Sequence, residues 1–410
     1  MTLTVRNVRQ DELFDFVDAI STSFLERPDV AKVVEEIRPY WDVGRIWAAF
    51  DGERMCGTYR TWASELSVPG GRQLPASAVT AVTVLPTHRR RGALRAMTAA
   101  EHAAIRQREE VFGLLYASEF TIYGRFGYGP ACRQATWTLH TRDTGFLDSR
   151  PRGCVELVRP TEETRDQVKS LYEAWRVRQP GEMRRRDFRW DYDLGLRDPA
   201  WGEKWKGFLA FHRDEAGGLD GYARYSAKEK WVDRQPRNEL IVNELHALND
   251  EAYAGLWRFL GEVDLVATVK AEGRVPSERL PWLLTNNRAA VMSEVGEGLW
   301  VRIFDVPRAL EARAYEREGR LVLGVVDREA ASSPLRYELE VGAAGATCRP
   351  TDRSADLTID VSALGAAYLG GTRLRDAVLA SGWEAQRPGA LAYADDLLRT
   401  ADEPWCSTFF

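Results

Sequence analysis

The chain is poor in the residues that build metal and disulfide sites, with five cysteines, five histidines and five methionines in 410 positions. Cys56, Cys132, Cys154, Cys348 and Cys406 are scattered, odd in number and form no C-x-x-C pair. That pattern argues against a disulfide framework or zinc ribbon and fits a reducing compartment. His88, His102, His140, His212 and His246 show no ligand spacing, so no metal is expected. A basic excess is also lacking: 56 Lys and Arg stand against 61 Asp and Glu, a net charge of -5. General nucleic-acid binding needs a positive surface that displaces counterions and is not expected. The small negative balance slightly favours a cationic substrate. No apolar run is long enough to span a bilayer, and Met1-Thr2-Leu3-Thr4-Val5-Arg6 lacks the apolar stretch of a signal peptide. These absences predict a cytoplasmic protein without membrane insertion, or one exported by a route that needs no signal peptide.

What is present is enough for several cores. A single core stops growing near 250–300 residues, so two or three domains are expected. The 14 tryptophans are read mainly as core residues. The first segment, residues 1–150, opens with a strand at Leu3–Val8 and a helix that Asp11 is placed to cap, ending near Phe24. A hairpin follows around the turn pair Asp51-Gly52. Then come a β-rich run at Val79–Val84, a basic turn, a helix from Ala93 to about Arg108 and a strand at Val111–Ala117.

The second segment, 151–290, starts after the breaker-rich Ser149-Arg150-Pro151-Arg152-Gly153. It repeats the order strand, helix, strands, helix, strand, with Asp250 placed to cap its second helix, and reads as a diverged internal repeat. Where the first copy has a basic turn, this one has Ala247-Leu248-Asn249-Asp250, whose acid would repel a pyrophosphate. The third segment, 291–410, mixes strands with shorter helices and ends on Pro404-Trp405-Cys406-Ser407-Thr408-Phe409-Phe410, an aromatic end that predicts burial. The mixed-sign run Glu182-Met183-Arg184-Arg185-Arg186-Asp187 reads as a solvated face.

The sharpest chemical signal runs from Ala81 to Arg95: strand, His88-Arg89-Arg90-Arg91-Gly92, then helix. A helix start has unpaired N–H groups and partial positive charge. Gly92 lets a ligand approach the backbone, and the arginines add forked donors. Together they suit a pyrophosphate; taken alone, such a turn also reads as a solvated basic cap. The preceding strand offers Val82 and Val84 to an extended arm, much as an added strand would pair. About thirty residues on stands Ser118-Glu119-Phe120-Thr121-Ile122-Tyr123-Gly124-Arg125-Phe126-Gly127-Tyr128. Ser118 and Cys406 lack the glycine-flanked elbow of an acyl-enzyme nucleophile.

Here the chain resembles the GNAT superfamily of acetyltransferases. Arg89-x-x-Gly92 is similar to its R/Q-x-x-G-x-G/A loop, with Leu94 where a Gly or Ala is usual, and Tyr123-x-x-Phe126-Gly127-Tyr128 to its late tyrosine element. V-x-P-T-H-R-R-R-G-x-L-R-A-M with A-S-E-x-x-I-Y-G-R-F-G-Y-G-P-A resembles the enhanced intracellular survival (Eis) family, and Gly298–Arg313 and Tyr368-Leu369-Gly370 extend the likeness over essentially the whole chain. The resemblance implies an α/β (α+β) architecture: a catalytic GNAT domain, a degenerate GNAT-like domain and a sterol-carrier-protein-like domain, assembled as a homohexamer. It implies acetyl-CoA as co-substrate, held by Val82, Thr83, Val84, Arg89, Arg90, Arg91, Gly92, Ala93, Leu94, Arg95, Ser118 and Glu119. It implies Tyr123 as general acid and the carboxylate of Phe410 as general base, the bland alternatives being a turn anchor and a hydrophobic plug. Glu26 and Trp41 are the expected substrate contacts, Trp62 a further pocket wall, and Phe409 replaces an acid at the penultimate position. The implied reaction is direct acetyl transfer to a small-molecule amine, with polyamines such as aminoglycosides as candidates. The alternatives are a lipid-binding protein or a protein lysine acetyltransferase.

Overall fold

The structure, a computed structural model, describes residues 3–147, 152–329 and 333–410. The junction expected at residues 149–151, and Met1 and Thr2, lie outside the described residues.

The first sheet begins with β1 (Thr4–Asn7), β2 (Ile46–Asp51), β3 (Arg54–Ser67), β4 (Gln73–Val84) and β5 (Phe112–Tyr116), adjacent in that order. Gly52, at φ +65°, closes the β2–β3 hairpin at the expected turn. β4 and β5 run parallel because a helix, α3 (Ala93–Gln107), crosses between them. Alternation along β2 decides its two faces. Ile46, Ala48 and Phe50 pack with α1 (Leu13–Ser23) and α2 (Val30–Ile37), whereas Ala49 packs on the side of Met97 in α3. On that α3 side, Glu101 is fully buried. It accepts from Trp47 Nε1 at 2.6 Å, Thr61 Oγ1 at 2.9 Å and Ser77 Oγ at 3.1 Å, and it pairs with Arg108. A buried carboxylate so satisfied ties helix to sheet.

Beyond β5 the order departs from a simple tandem. The next strand in the first sheet is Leu299–Ile303, antiparallel to β5, followed by Gly129–Pro130. Arg133–His140, which lies within the first 150 residues, pairs instead with Val266–Arg274 and Ala290–Glu297 of the second sheet. The two sheets thus exchange strands. A division of the chain at 150 and 290 cuts across both of them, because ladders join residues on either side of each cut. The second sheet otherwise repeats the first: Asn238–Ala247 runs parallel to Val266–Arg274 across the helix Asp250–Gly261. The third domain has a five-stranded sheet, and its apolar face shares one core with the first sheet. The helix Val361–Ala367 lies so close to the exchanged strand that a Cβ on Gly365 would stand 2.3 Å from the Val301 carbonyl oxygen.

Two expected caps are not used. Asp11 sits inside a short 3-10 turn closed by Glu12, which accepts from Arg9 N at 2.9 Å, and α1 has no side-chain cap. The helix at Asp250 is capped one residue earlier by Asn249, whose Oδ1 accepts from Ala252 N at 2.8 Å. Asn and Asp both serve as N-caps, and here they stand in a row.

The exchanged strand carries Leu299, Trp300, Val301 and Ile303, all at most 2 % exposed. Their burial contributes together roughly 6–12 kcal/mol, comparable to the net stability of a whole domain. A fragment of residues 3–147 is therefore expected to show no cooperative thermal transition by circular dichroism, and co-expression with residues 152–410 to restore one. A fragment that melts cooperatively alone would show that the exchange is dispensable.

Candidate functional site

β4 and β5 pair only at Ala76–Phe112, Ser77–Gly113 and Ala78–Leu114. Both strands continue, β4 to Val84 and β5 to Tyr116, but they separate. The cause lies on the other edge of β4. The β3–β4 ladder shifts between Thr58 and Arg60, and Ala81 takes φ +51°, with Thr58 Oγ1 donating to its carbonyl at 2.8 Å. A bulge of this kind bends its strand. The result is a V-shaped opening with its vertex at Ala78–Leu114. Val82 and Val84 line one arm half-buried, while Thr83 is buried, its hydroxyl 2.7 Å from that of Thr58.

The wide end meets the start of α3. Gly92 stands at its N-cap with φ +88° and no side-chain cap, and a Cβ there would meet nothing within 4 Å. The first N–H groups of α3 thus face open space, as an anion cradle requires. Arg89, Arg90 and Arg95 are exposed around it. Arg91 is placed differently from its neighbours: Nη1 is 2.7 Å from Asp51 Oδ2, and this hydrogen bond holds the Asp51 carboxyl below its usual range. Its charge is turned back onto the hairpin and fixes the turn instead of facing the cradle. Ala93 is buried, and Leu94, half-buried, packs against the cluster around Tyr123.

β5 leads into exposed Ser118 and Glu119, then a single helical turn, Phe120–Tyr123. Tyr123 is 7 % exposed and packs with Val79, Met97 and Leu115. Its ring meets Tyr128 edge-on at 6.2 Å. Burial, then the charge of Glu119, pushes its phenol up to about 12. The chain after it is pinned from the exchanged strand: Arg302 Nη1 donates to the Phe126 carbonyl at 2.7 Å, and Nη2 lies 3.0 Å from both Asp327 oxygens. Gly127 has φ +79°, and a Cβ there would lie 1.6 Å from Arg302 Nη1. Nothing in the sequence marks Arg302 for this role; its partners are distant in the chain.

The chain terminus reaches the vertex. Phe410 meets Trp62 edge-on at 4.8 Å and Tyr116 at 5.4 Å, while Phe409 meets Tyr116 at 5.0 Å. Trp62 is paired with Ala78, the last β4 residue to pair with β5. Phe410 is half-buried and Phe409 exposed. The tail is held by the run read as a solvated face. That reading fails because the run extends the end of β3: Ser67 N donates to Glu182 O at 2.8 Å and Arg184 N to Glu65 O at 3.0 Å. Met183 and Arg185 then turn inward on either side of exposed Arg184, and Glu182 is buried beneath the tail. Glu182 Oε2 accepts from Ser407 N at 2.7 Å and Ser407 Oγ at 2.6 Å. Thr408 Oγ1 accepts from Arg185 Nε at 2.8 Å.

Trp405 anchors the same tail in the second sheet. There the parallel ladder stops at Val242–Ala271, and its strands separate as β4 and β5 do. Trp405 enters beside this second opening, Nε1 donating to Gly273 O at 2.7 Å and its own N to Pro180 O at 2.9 Å, with the Arg274 guanidinium 4.6 Å over the indole. It walls a remaining cavity of ≈ 500 Å³ with Trp175, Leu248 and Arg279.

On the face of α1 and α2, Trp41 stacks edge-on against Phe16 at 6.1 Å and lies under the Arg60 guanidinium at 4.1 Å. Arg60 and Arg186 both lie against Trp62, at 5.5 and 4.4 Å. Trp41, Arg60, Trp62 and Phe410 thus form one row. Glu26 stands apart from it: exposed, with its carboxylate bound by Trp201 Nε1 of the second segment. Among the described residues no group of three or more His, Cys, Asp or Glu side chains forms a metal site, and no helix is long and apolar enough to cross a membrane.

Comparison with known proteins gives three domain matches: an acetyltransferase (GNAT) domain at residues 4–131, a second at 181–303 and a sterol carrier protein domain at 306–407. An uncharacterized N-acetyltransferase from Streptomyces avermitilis is 39% identical over 420 residues, covering 100% of this chain and 99% of the relative. The N-acetyltransferase Eis of Mycobacterium tuberculosis is 39% identical over 327 residues, 78% of this chain and 77% of that protein. The crystal structure of Eis1 from Mycobacterium abscessus superposes with a TM-score of 0.85 at 29% identity over 100% of both chains. A bent strand, an uncapped helix start, a buried tyrosine and matches along the whole chain agree, and the chain belongs to the Eis family of GNAT N-acetyltransferases.

Proposed function

We propose that the chain transfers acetyl from acetyl-CoA directly to a small-molecule amine in a ternary complex, with Tyr123 as acid and the Phe410 carboxylate as base. The observation that carries this reading is the opening between β4 and β5. Its wide end is an uncapped helix start, Tyr123 packs along it, and the chain terminus sits at its vertex. Such an opening fits a long, extended donor with a dianionic group at one end: backbone along Val82–Val84 for the arm, Gly92 and the exposed Arg89 and Arg90 for the pyrophosphate. Residues 1–150 carry the catalytic turn and Tyr123, 151–290 the body of a degenerate copy, and 291–410 both the strand that completes the first sheet and the terminal carboxylate. The degenerate copy suits no second donor: Asn249 caps its helix start, and Asp250 sets an acid there. Polyamines such as aminoglycosides are the acceptors that the resemblance suggests, and a homohexamer the assembly. The intact turn and Tyr123 favour catalysis over lipid carriage.

The chemistry asks two things of the chain. An amine attacks the thioester carbonyl only when unprotonated, so a base must take a proton. A thiolate departs and must receive one. Tyr123, with its phenol at about 12, is fully protonated near neutrality and can donate. A free thiol near ~8.5 is the stronger acid by about 3–4 pH units, so the proton moves as the C–S bond breaks, with the same desolvation raising the thiolate's basicity. An α-carboxylate near ~3.5 is a weak base for ammonium, which calls for a water relay.

Four outcomes are expected. Replacing Arg89 and Arg90 together by Ala should weaken acetyl-CoA binding by roughly 2–4 kcal/mol in calorimetry, the scale of charge-assisted hydrogen bonds; unchanged affinity would remove them from the cradle. Tyr123→Phe keeps the ring, and turnover should drop by roughly 10²–10⁴ with donor affinity little altered. Because its folded pKa is raised, Tyr123 stays protonated as pH climbs, so wild-type kcat/KM should show no tyrosine-dependent fall below about pH 11; a limb near pH 10 that vanishes in Tyr123→Phe would contradict the burial argument. Appending one Gly after Phe410 keeps both rings but converts the carboxylate to an amide and moves the charge by ~3.5 Å. Activity should collapse while Tm barely moves, and full turnover in the extended protein would transfer the base role to Glu119 or water.

A further inference from the structure

We propose that the acetyl acceptor is an amine that also carries an anionic group, a carboxylate or phosphate, and that Arg60 and Arg186 bind this anion beside Trp62. The inference rests on the acetyltransferase reading and narrows its substrate class.

Arg60 projects from β3, opposite Thr80 and next to the bulge at Ala81. It is 8 % exposed, stacked on Trp41 at 4.1 Å. Arg186 arrives from the second segment and lies between Trp62 at 4.4 Å and Phe188 at 4.5 Å. The two guanidinium groups therefore flank the indole whose edge faces Phe410 at the vertex.

What sets them apart is the lack of an acid. Among the described residues the other buried arginines face an acid or donate to backbone carbonyls. Arg302 has Asp327, Arg185 has Glu244, Arg274 has Glu278, Arg176 has Glu65 and Glu173, and Arg313 donates to the Tyr368 and Leu398 carbonyls. Among the described residues neither Arg60 nor Arg186 forms an ion pair. Arg60 Nε, Arg186 Nη1 and Trp62 Nε1 are buried with no acceptor at all. Burial and then the charge of Arg186 lower the Arg60 pKa, and burial and then the charge of Arg189 lower that of Arg186 to about 10; a guanidinium in a protein keeps its charge near neutrality. A buried, unpaired charge costs several kcal/mol, and two side by side cost more. An anion resolves this, and forked guanidinium donors plus an indole N–H suit a carboxylate or phosphate. The donor's own phosphates are assigned to the start of α3, at the other end of the opening, and among the described residues the chain's terminal carboxylate forms no ion pair with either arginine, so the anion belongs to the acceptor.

The test compares matched acceptors by thiol release from acetyl-CoA: phenylalanine against phenethylamine, phosphoethanolamine against ethanolamine, and spermidine as a cation without an anion. At least one anion-bearing member should exceed its plain partner in kcat/KM by about 10-fold or more. The carboxylate and phosphate pairs tell the two anions apart. In Arg186→Gln that ratio should fall toward one, chiefly through KM, on the 10–100-fold scale of a charged hydrogen bond. Arg186→Lys should restore part of it. Arg186 is half-buried on a loop, so its variants test the idea even if Arg60→Gln fails to fold. Wild-type preference for the plain amines or spermidine would overturn the proposal while leaving the acetyltransferase reading intact. Equal loss for every amine in the variants would overturn it too, marking the arginines as partners of the chain's own terminal carboxylate. If no amine releases thiol, the amine-acceptor reading falls with it.

Discussion

Strand exchange is the constraint on which the rest of this molecule depends. β5 needs a neighbour on its free side, and the chain supplies Leu299–Ile303 from beyond the entire second domain. In return, Arg133–His140 completes the second sheet. Neither sheet closes on its own segment, so the two GNAT domains form one cooperative unit rather than beads on a string. The exchanged strand also carries Arg302, which reaches back to the turn after Tyr123 and outward to Asp327 of the third domain. The same strand that fills the sheet thus positions the turn that follows the tyrosine.

The second domain gains a physical reason to persist without a donor site. Its strands still separate beyond Val242–Ala271, because a strand pair crossed by a helix keeps that geometry whether or not a ligand uses it. The chain spends the opening on its own tail. Trp405 is seated against Gly273 and Arg274, Ser407 on Glu182 and Thr408 on Arg185, and Arg189 Nη1 donates to the Phe409 carbonyl just short of the vertex. A terminal carboxylate on a frayed tail would lose its position to conformational entropy, about 1–2 kcal/mol per residue of backbone. Anchoring residues 405–408 and the Phe409 carbonyl limits that cost, and the rings of Phe409 and Phe410 rest on Tyr116.

Much of this was legible in the sequence wherever a local rule was enough. Asp51-Gly52 marked a hairpin, Gly92 a helix start and the periodicity from Ala93 to about Arg108 a helix, and all three stand as read. The three-domain order followed from the resemblance. What could not be read was pairing at a distance. Arg133–His140 looks the same as a strand whichever sheet it joins, and strand identity carries no address. Glu182–Asp187 looked solvated because alternating charges usually are; its burial comes from adding to the end of β3, which no local pattern reveals. The Glu26 contact with Trp201, the turning of Arg91 onto Asp51 and the pinning of Phe126 by Arg302 are of the same kind. The one-residue error at Asp250 arose where two capping residues stand side by side, and Asp11 was taken up by a 3-10 turn ahead of α1.

Electrostatics ties the site together in a way the motifs do not. The cradle at α3 and the pair Arg60 and Arg186 put positive charge at both ends of the opening, although the chain as a whole is acidic. Between them stands Tyr123, whose phenol is raised by burial and by Glu119. A tyrosine so raised is a poor acid toward a hydrated thiolate, and no pH in the neutral range strips it; in the proposed reaction a thiolate released against the same low-dielectric wall would be the more basic for it. At the vertex the ring of Phe410 meets the indole of Trp62, against which the guanidinium groups of Arg60 and Arg186 also lie, so the chain's last residue ends in positively charged, aromatic surroundings.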